Sequence, residues 1–144
     1  MVRTLKELNL FKKAQNEKLY PNLPKSAVTA GRFKDSSANE LTKAVIYHFE
    51  EVLGGLALRI NNTGIYDPRT KRFRKSHTRK GIPDIICVLD GTFIGVEIKY
   101  GKDRLSQHQK DMKKEIEAAG GFYMVAKTFE QYVSTLNTFL DAKQ

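Results

Sequence analysis

The sequence predicts an α/β fold, a mixed central sheet flanked by helices, in the order helix, three strands, helix, strand after a separate N-terminal helix. Three observations predict it. Apolar residues recur at helical spacing in four segments, and between them lie apolar runs of strand length. Gly54-Gly55, Asp90-Gly91 and Gly120-Gly121 stand where those segments must stop or turn. The 144 residues, 40% of them hydrophobic, suffice for one core.

Residues 4–19 read as a helix capped by Thr4, with Leu5, Leu8 and Phe11 on one stripe. Residues 20–36, with Pro21, Pro24 and Gly31, read as an arm. The domain proper is expected over 37–144, behind a basic N-terminal helix and arm at 1–36. A helix over 38–53 buries Leu41, Val45, Phe49, Val52 and Leu53 and stops at Gly54-Gly55. Residues 56–62 alternate as a strand does, with Arg59 and Asn61 on the polar side. A basic loop with room for a short hairpin fills 63–80. Ile85 to Leu89 is apolar throughout, as a central strand buried on both faces would be. Asp90-Gly91 signals a type I′ turn into a return strand, Phe93 to Tyr100. A helix over 107–119, a strand over 122–126 and a helix capped by Thr128 complete the chain.

Net charge is +9, and its distribution is uneven. Residues 1–34 carry +6 and residues 69–80 carry +7, while 35–68 and 81–144 carry −3 and −1. Seven like charges within RTKRFRKSHTRK need a polyanion or water to screen them, and nucleic-acid phosphate is the natural polyanion. Arg69, Lys71, Arg72, Arg74, Lys75, Arg79 and Lys80 are the expected phosphate contacts, joined by Arg59, Asn61 and the N-terminal arm. Tyr66 and Phe73 add rings that suit unpaired bases. A solvated loop is the plainer reading of the same run. No apolar run reaches the roughly 20 residues needed to span a bilayer. The first residues lack a signal-peptide pattern, so a cytosolic location is expected. The single Cys87 cannot pair internally, and His48, His77 and His108 lack zinc-ligand spacing.

The stretch GIPDIICVLDGTFIGVEIK carries the chemistry. With a two-residue loop at 90 and 91, paired residues have numbers summing to 181, so Asp84 lies opposite Glu97 on one face. Alternation places Lys99 on that face too. Two facing carboxylates repel, and a divalent cation between them reverses the sign. The Ile98 carbonyl is a further oxygen donor. A surface Lys99–Glu97 pair is the competing reading, and a bulge would shift the register.

GIPD followed by VEIK resembles the PD-(D/E)XK nuclease signature. The run through EIKYGKDRLSQHQ to AAGGFYMVA resembles its VRR-NUC branch, the virus-type replication and repair nucleases, over residues 38–133. The resemblance implies a restriction-endonuclease-like αβββαβ core and hydrolysis of DNA with Mg²⁺, for which Mn²⁺ can substitute. It implies Asp84 and Glu97 as metal ligands, Lys99 as the motif lysine and Gln109 as the glutamine beside the site. Glu40, on the first core helix, would complete the metal site. Small stand-alone members tend to be dimers acting on branched DNA such as four-way junctions, so a homodimer is expected, in the cytoplasm of a bacterial host if the protein is viral. Residues 1–36, a helix on a proline-containing arm, are a candidate for its interface. Glu40 and Gln109 each also fit a helix capping box, at Ser37 and Ser106. A nuclease-fold DNA-binding protein without catalysis, and an RNA-directed nuclease, remain the alternatives.

Overall fold

A computed structural model of the protein describes residues 1–28, 31–61, 66–74 and 79–144. Helix α1 (Leu5–Leu19) opens in a reciprocal capping box: Thr4 Oγ1 accepts from the Glu7 N–H, and the Glu7 carboxylate accepts from the Thr4 N–H. Its apolar stripe turns inward. Leu8 is fully buried in a core shared with Leu41, Phe49 and Phe129, and Leu5 and Phe11 pack against it. The apolar stripe of α1 thus packs on this chain's own core.

Helix α2 (Ala38–Tyr47) starts at Ser37, whose Oγ accepts from the Glu40 N–H. Its last expected turn is a π-helical one, His48–Val52, which buries His48 and Phe49. Strand β1 (Leu56–Arg59) follows, then a small hairpin of β2 (Tyr66–Asp67) and β3 (Arg72–Phe73) inside the basic segment. Next come β4 (Ile85–Leu89), β5 (Thr92–Ile98), α3 (Gln107–Ala118), β6 (Phe122–Ala126) and α4 (Phe129–Lys143).

The main sheet runs β1-β4-β5-β6. The first two pairings are antiparallel and β5-β6 is parallel, because α3 carries the chain back across the sheet. Asp90 and Gly91 both have left-handed φ, 48° and 74°, as a type I′ turn requires. Leu89 pairs with Thr92 and Ile85 with Val96, the expected register without a bulge.

One face of the sheet forms the core. Ile85, Cys87, Ile94, Val96 and Ala126 pack there against Phe129, Tyr132, Val133 and Leu136 of α4 and Leu41, Val45 and Phe49. The other face, bearing α3, is less covered. Leu56 and Leu58 stay half exposed, and Val88 of β4 is also exposed, so that strand is buried on one face rather than both. On β1 the small Ala57 is the residue that points to the core.

Candidate active site

Three of the chemistry-bearing side chains meet where β4 and β5 open at one end of the sheet. Asp84 precedes β4, and its backbone carbonyl accepts from the Ile60 N–H, 2.8 Å, which prolongs the β1–β4 pairing by one residue. Its Oδ2 accepts from the Ile98 N–H at 2.8 Å. The carboxylate is thereby held against the end of β5, beside Glu97. Glu97 is 3% exposed, and its Oε1 lies 3.7 Å from Lys99 Nζ. Asp84, Glu97, Ile98 and Lys99 line one cleft of about 460 Å³, together with Arg59, Asn61 and the first turns of α2.

Gln109 reaches the same carboxylate from α3. Its Oε1 accepts from the Ser106 N–H at 2.8 Å, closing the capping box, while Ser106 Oγ accepts from the Gln109 N–H. With its oxygen so engaged, the amide must turn its Nε2 outward, and it donates to Glu97 Oε1 at 2.6 Å. One side chain thus caps α3 and hydrogen-bonds Glu97.

The GIPD loop is built to bring these parts together. Gly81 has φ 83°, and a Cβ there would collide with the His108 carbonyl at the start of α3. Pro83 packs on Gly95 of β5, where a Cβ would meet its ring at 2.7 Å. Glycines at 81 and 95 therefore let the Asp84 loop, β5 and the Gln109 turn approach one another.

Electrostatics at the site are governed by burial. Desolvation first, and then the Asp84 charge, raise the Glu97 carboxyl from 4.5 to about 8, with Lys99 offsetting part of the rise. The Tyr123 hydroxyl beneath it is pushed up by burial and by both carboxylates. Among the described residues, Glu97 Oε2 and Tyr123 OH are buried side-chain atoms with no hydrogen-bond partner.

The other expected site residues fall into three groups. Arg59 and Asn61 line the cleft, and Arg59 donates to Asn39 Oδ1 at 3.0 Å. Glu40 does not line it; its carboxylate pairs with Lys43 at 3.5 Å. The reason is helical phase. Packing of Leu41, Ala44 and Val45 aims Ala38, Asn39 and Thr42 at the cleft, and at about 100° per residue Glu40 then points elsewhere. Among the described residues no group of three or more His, Cys, Asp or Glu is placed to hold a metal. Several basic-loop residues are already tied down: Arg69 and Arg74 to the buried Asp67, and Arg79 to Glu115 by two 2.8 Å contacts. Lys71, Arg72 and Lys80 are exposed, as are Tyr66 and Phe73, whose rings pack edge-to-face. Lys75 and His77 lie outside the described residues, and His108 is exposed. Sequence reasoning missed Asn39, Thr42 and Tyr123. The first two line the cleft from the first turns of α2 and were legible only once that helix's rotation was fixed.

The αβββαβ order and the mixed sheet define the class, an α/β domain of restriction-endonuclease-like architecture. The fold is that of a VRR_NUC domain. A solved structure described as "VRR_NUC domain" superposes with a TM-score of 0.51 at 21% identity, over 72% of this chain and 97% of that chain. No family model matches the sequence, and no curated protein matches it. Among the described residues no helix is long and apolar enough to cross a membrane.

Proposed function

We propose that this protein is a metal-dependent DNA endonuclease. The observation that carries the reading is the meeting of Asp84, Glu97 and Lys99 at one cleft, with Gln109 hydrogen-bonded to Glu97. A buried carboxylate oxygen without a partner, Glu97 Oε2, is a donor awaiting a cation, and an all-oxygen set suits Mg²⁺, with Mn²⁺ as a substitute. Asp84, Glu97 and the Ile98 carbonyl would hold it, the remaining positions falling to water. Glu40 is not part of this set. The cation would supply charge neutralisation on the phosphate and a more acidic bound water. Gln109 fixes the Glu97 carboxylate in one orientation. Lys99 Nζ, held within the cleft by Glu97, orients the attacking water or offsets charge on the phosphorane. Arg59 and Asn61 contact the bound strand's phosphates, and Lys71, Arg72 and Lys80 hold more distant ones. Branched DNA such as a four-way junction is the proposed substrate, and its symmetry calls for two active sites in a homodimer.

The test is cleavage of end-labelled four-way-junction, flap, nicked and linear DNA, and of matching RNA, with Mg²⁺, Mn²⁺ or EDTA, beside Lys99→Ala. Cleavage of DNA that needs both the cation and Lys99 is expected. Tight salt-dependent binding with no cleavage in either metal would mark a non-catalytic DNA-binding protein. Preferential cutting of RNA would move the activity to that polymer.

A further inference from the structure

Helix α1 and residues 32–34 of the arm enclose a groove of about 600 Å³ that the active cleft does not use. Lys6 and Lys13 line one wall, seven residues apart on one helix face, and Arg32 and Lys34 line the other. Among the described residues no acidic side chain lines it. The walls are fixed to each other. Asn9 Nδ2 donates to the Phe33 carbonyl at 3.1 Å, and the Phe33 N–H donates back to Asn9 Oδ1 at 2.7 Å. Lys12 Nζ donates to the Gly31 carbonyl at 2.9 Å, and the Phe33 ring packs on Tyr47 at 4.7 Å. Phe33 is thus anchored inward, and alternation leaves Arg32 and Lys34 together on the groove side.

We propose that this groove binds the sugar–phosphate backbone of a nucleic acid, on the flank of the strand held in the active cleft. Four cations with no interspersed acid on a preformed wall are what a run of phosphates requires. Of the apolar lining residues Leu10, Val28 and Phe33, Leu10 is 58% exposed and offers a surface for sugar. The groove also leads to the cleft. Lys34 lines the first and Ala38 the second, so their Cα atoms lie at most about 14 Å apart. That span covers about four phosphates along one strand. An anionic bilayer fits less well, because the apolar stripe Leu5, Leu8 and Phe11 of α1 is spent on the core.

The inference rests on the nucleic-acid reading of the cleft and is independent of whether the cleft cuts. The test is fluorescence anisotropy of labelled 30-base-pair DNA in EDTA, from low to moderate salt. Wild type is compared with Lys6→Ala/Lys13→Ala/Arg32→Ala/Lys34→Ala and with a control of equal charge loss outside the N-terminal region, Lys110→Ala/Lys113→Ala/Lys114→Ala/Lys127→Ala. The groove variant should show a log Kd against log salt slope shallower by about 3 to 4, from four lost phosphate contacts. The control should change it far less. Lys13→Glu alone should weaken binding in the same direction, which guards against a fold defect in the fourfold variant. A groove variant no different from the control overturns the inference, as does groove-dependent binding to phosphatidylserine vesicles or polyglutamate with DNA binding unaffected. Metal-dependent cleavage, measured in parallel on a short duplex confined to the cleft, reports separately on the endonuclease reading. The groove variant should cut that duplex as wild type does.

Discussion

Glu97→Gln should make the metal-free protein more stable at neutral pH. Glu97 is almost fully buried and titrates near 8 in the folded protein against 4.5 in the unfolded chain. Between those values the unfolded chain has released a proton that the fold still holds, so stability falls as pH rises from 4.5 and levels off above 8. At pH 7 the loss covers about 2.5 pH units, or roughly 3 kcal/mol. Glutamine keeps an oxygen to accept from Gln109 and has no proton to lose. For a chain of this size that is about a 10 °C rise in Tm. The assay is urea or thermal unfolding in EDTA from pH 4.5 to 8.5. The variant and wild type should coincide at pH 4.5 and separate progressively to pH 8, and Mg²⁺ should stabilise wild type more than the variant. A variant less stable than wild type at pH 7.5, or a gap that does not grow with pH, refutes the reasoning.

Asp84→Asn should fold as wild type does, since its amide oxygen can still accept from the Ile98 N–H, whereas Asp84→Ala should cost about 1–3 kcal/mol by orphaning that donor; unfolding of the two variants side by side checks this. Gly81→Ala should weaken both stability and cleavage, because its Cβ would push the Gln109 turn away from Glu97; cleavage rates of the folded fraction at saturating Mg²⁺ report the second effect. His48 is buried among Phe129 and Tyr132, with Nδ1 3.0 Å from the Tyr132 hydroxyl, and desolvation lowers it from 6.5 to about 4. Its contribution should therefore disappear as pH falls from 6.5 to 4, by up to roughly 3 kcal/mol, and His48→Leu should flatten that acid limb from a lower starting stability. The trend opposes that of Glu97, so each is read as a difference from its own variant.

Much of this architecture was legible because it follows from local chemistry. Asp90-Gly91 sets the turn, the turn sets the register, and the register brings Asp84 to the end of β5 beside Glu97. Helix starts at Thr4, Ser37, Ser106 and Thr128 were equally local, since each hydroxyl accepts from the N–H three residues on. Gln109 shows where such signals overlap. The capping box and the inward stripe were both visible, but only packing of α3 across the sheet let one amide satisfy Ser106 and Glu97 together.

What the sequence alone determined is the strand pairing that assembles the carboxylates and the lysine, because a two-residue turn with period-two side chains leaves one arrangement. What only the tertiary structure decided is how separate elements are phased around them. The rotation of α2 turns Asn39 and Thr42 into the cleft and Glu40 out of it. The inward face of α1 spends its leucines on this chain's own core and leaves Lys6 and Lys13 to a groove. The uneven cover by α3 leaves Leu56 and Leu58 half exposed. Those outcomes depend on contacts between residues far apart in the chain, where the burial of many side chains at once fixes each helix's rotation.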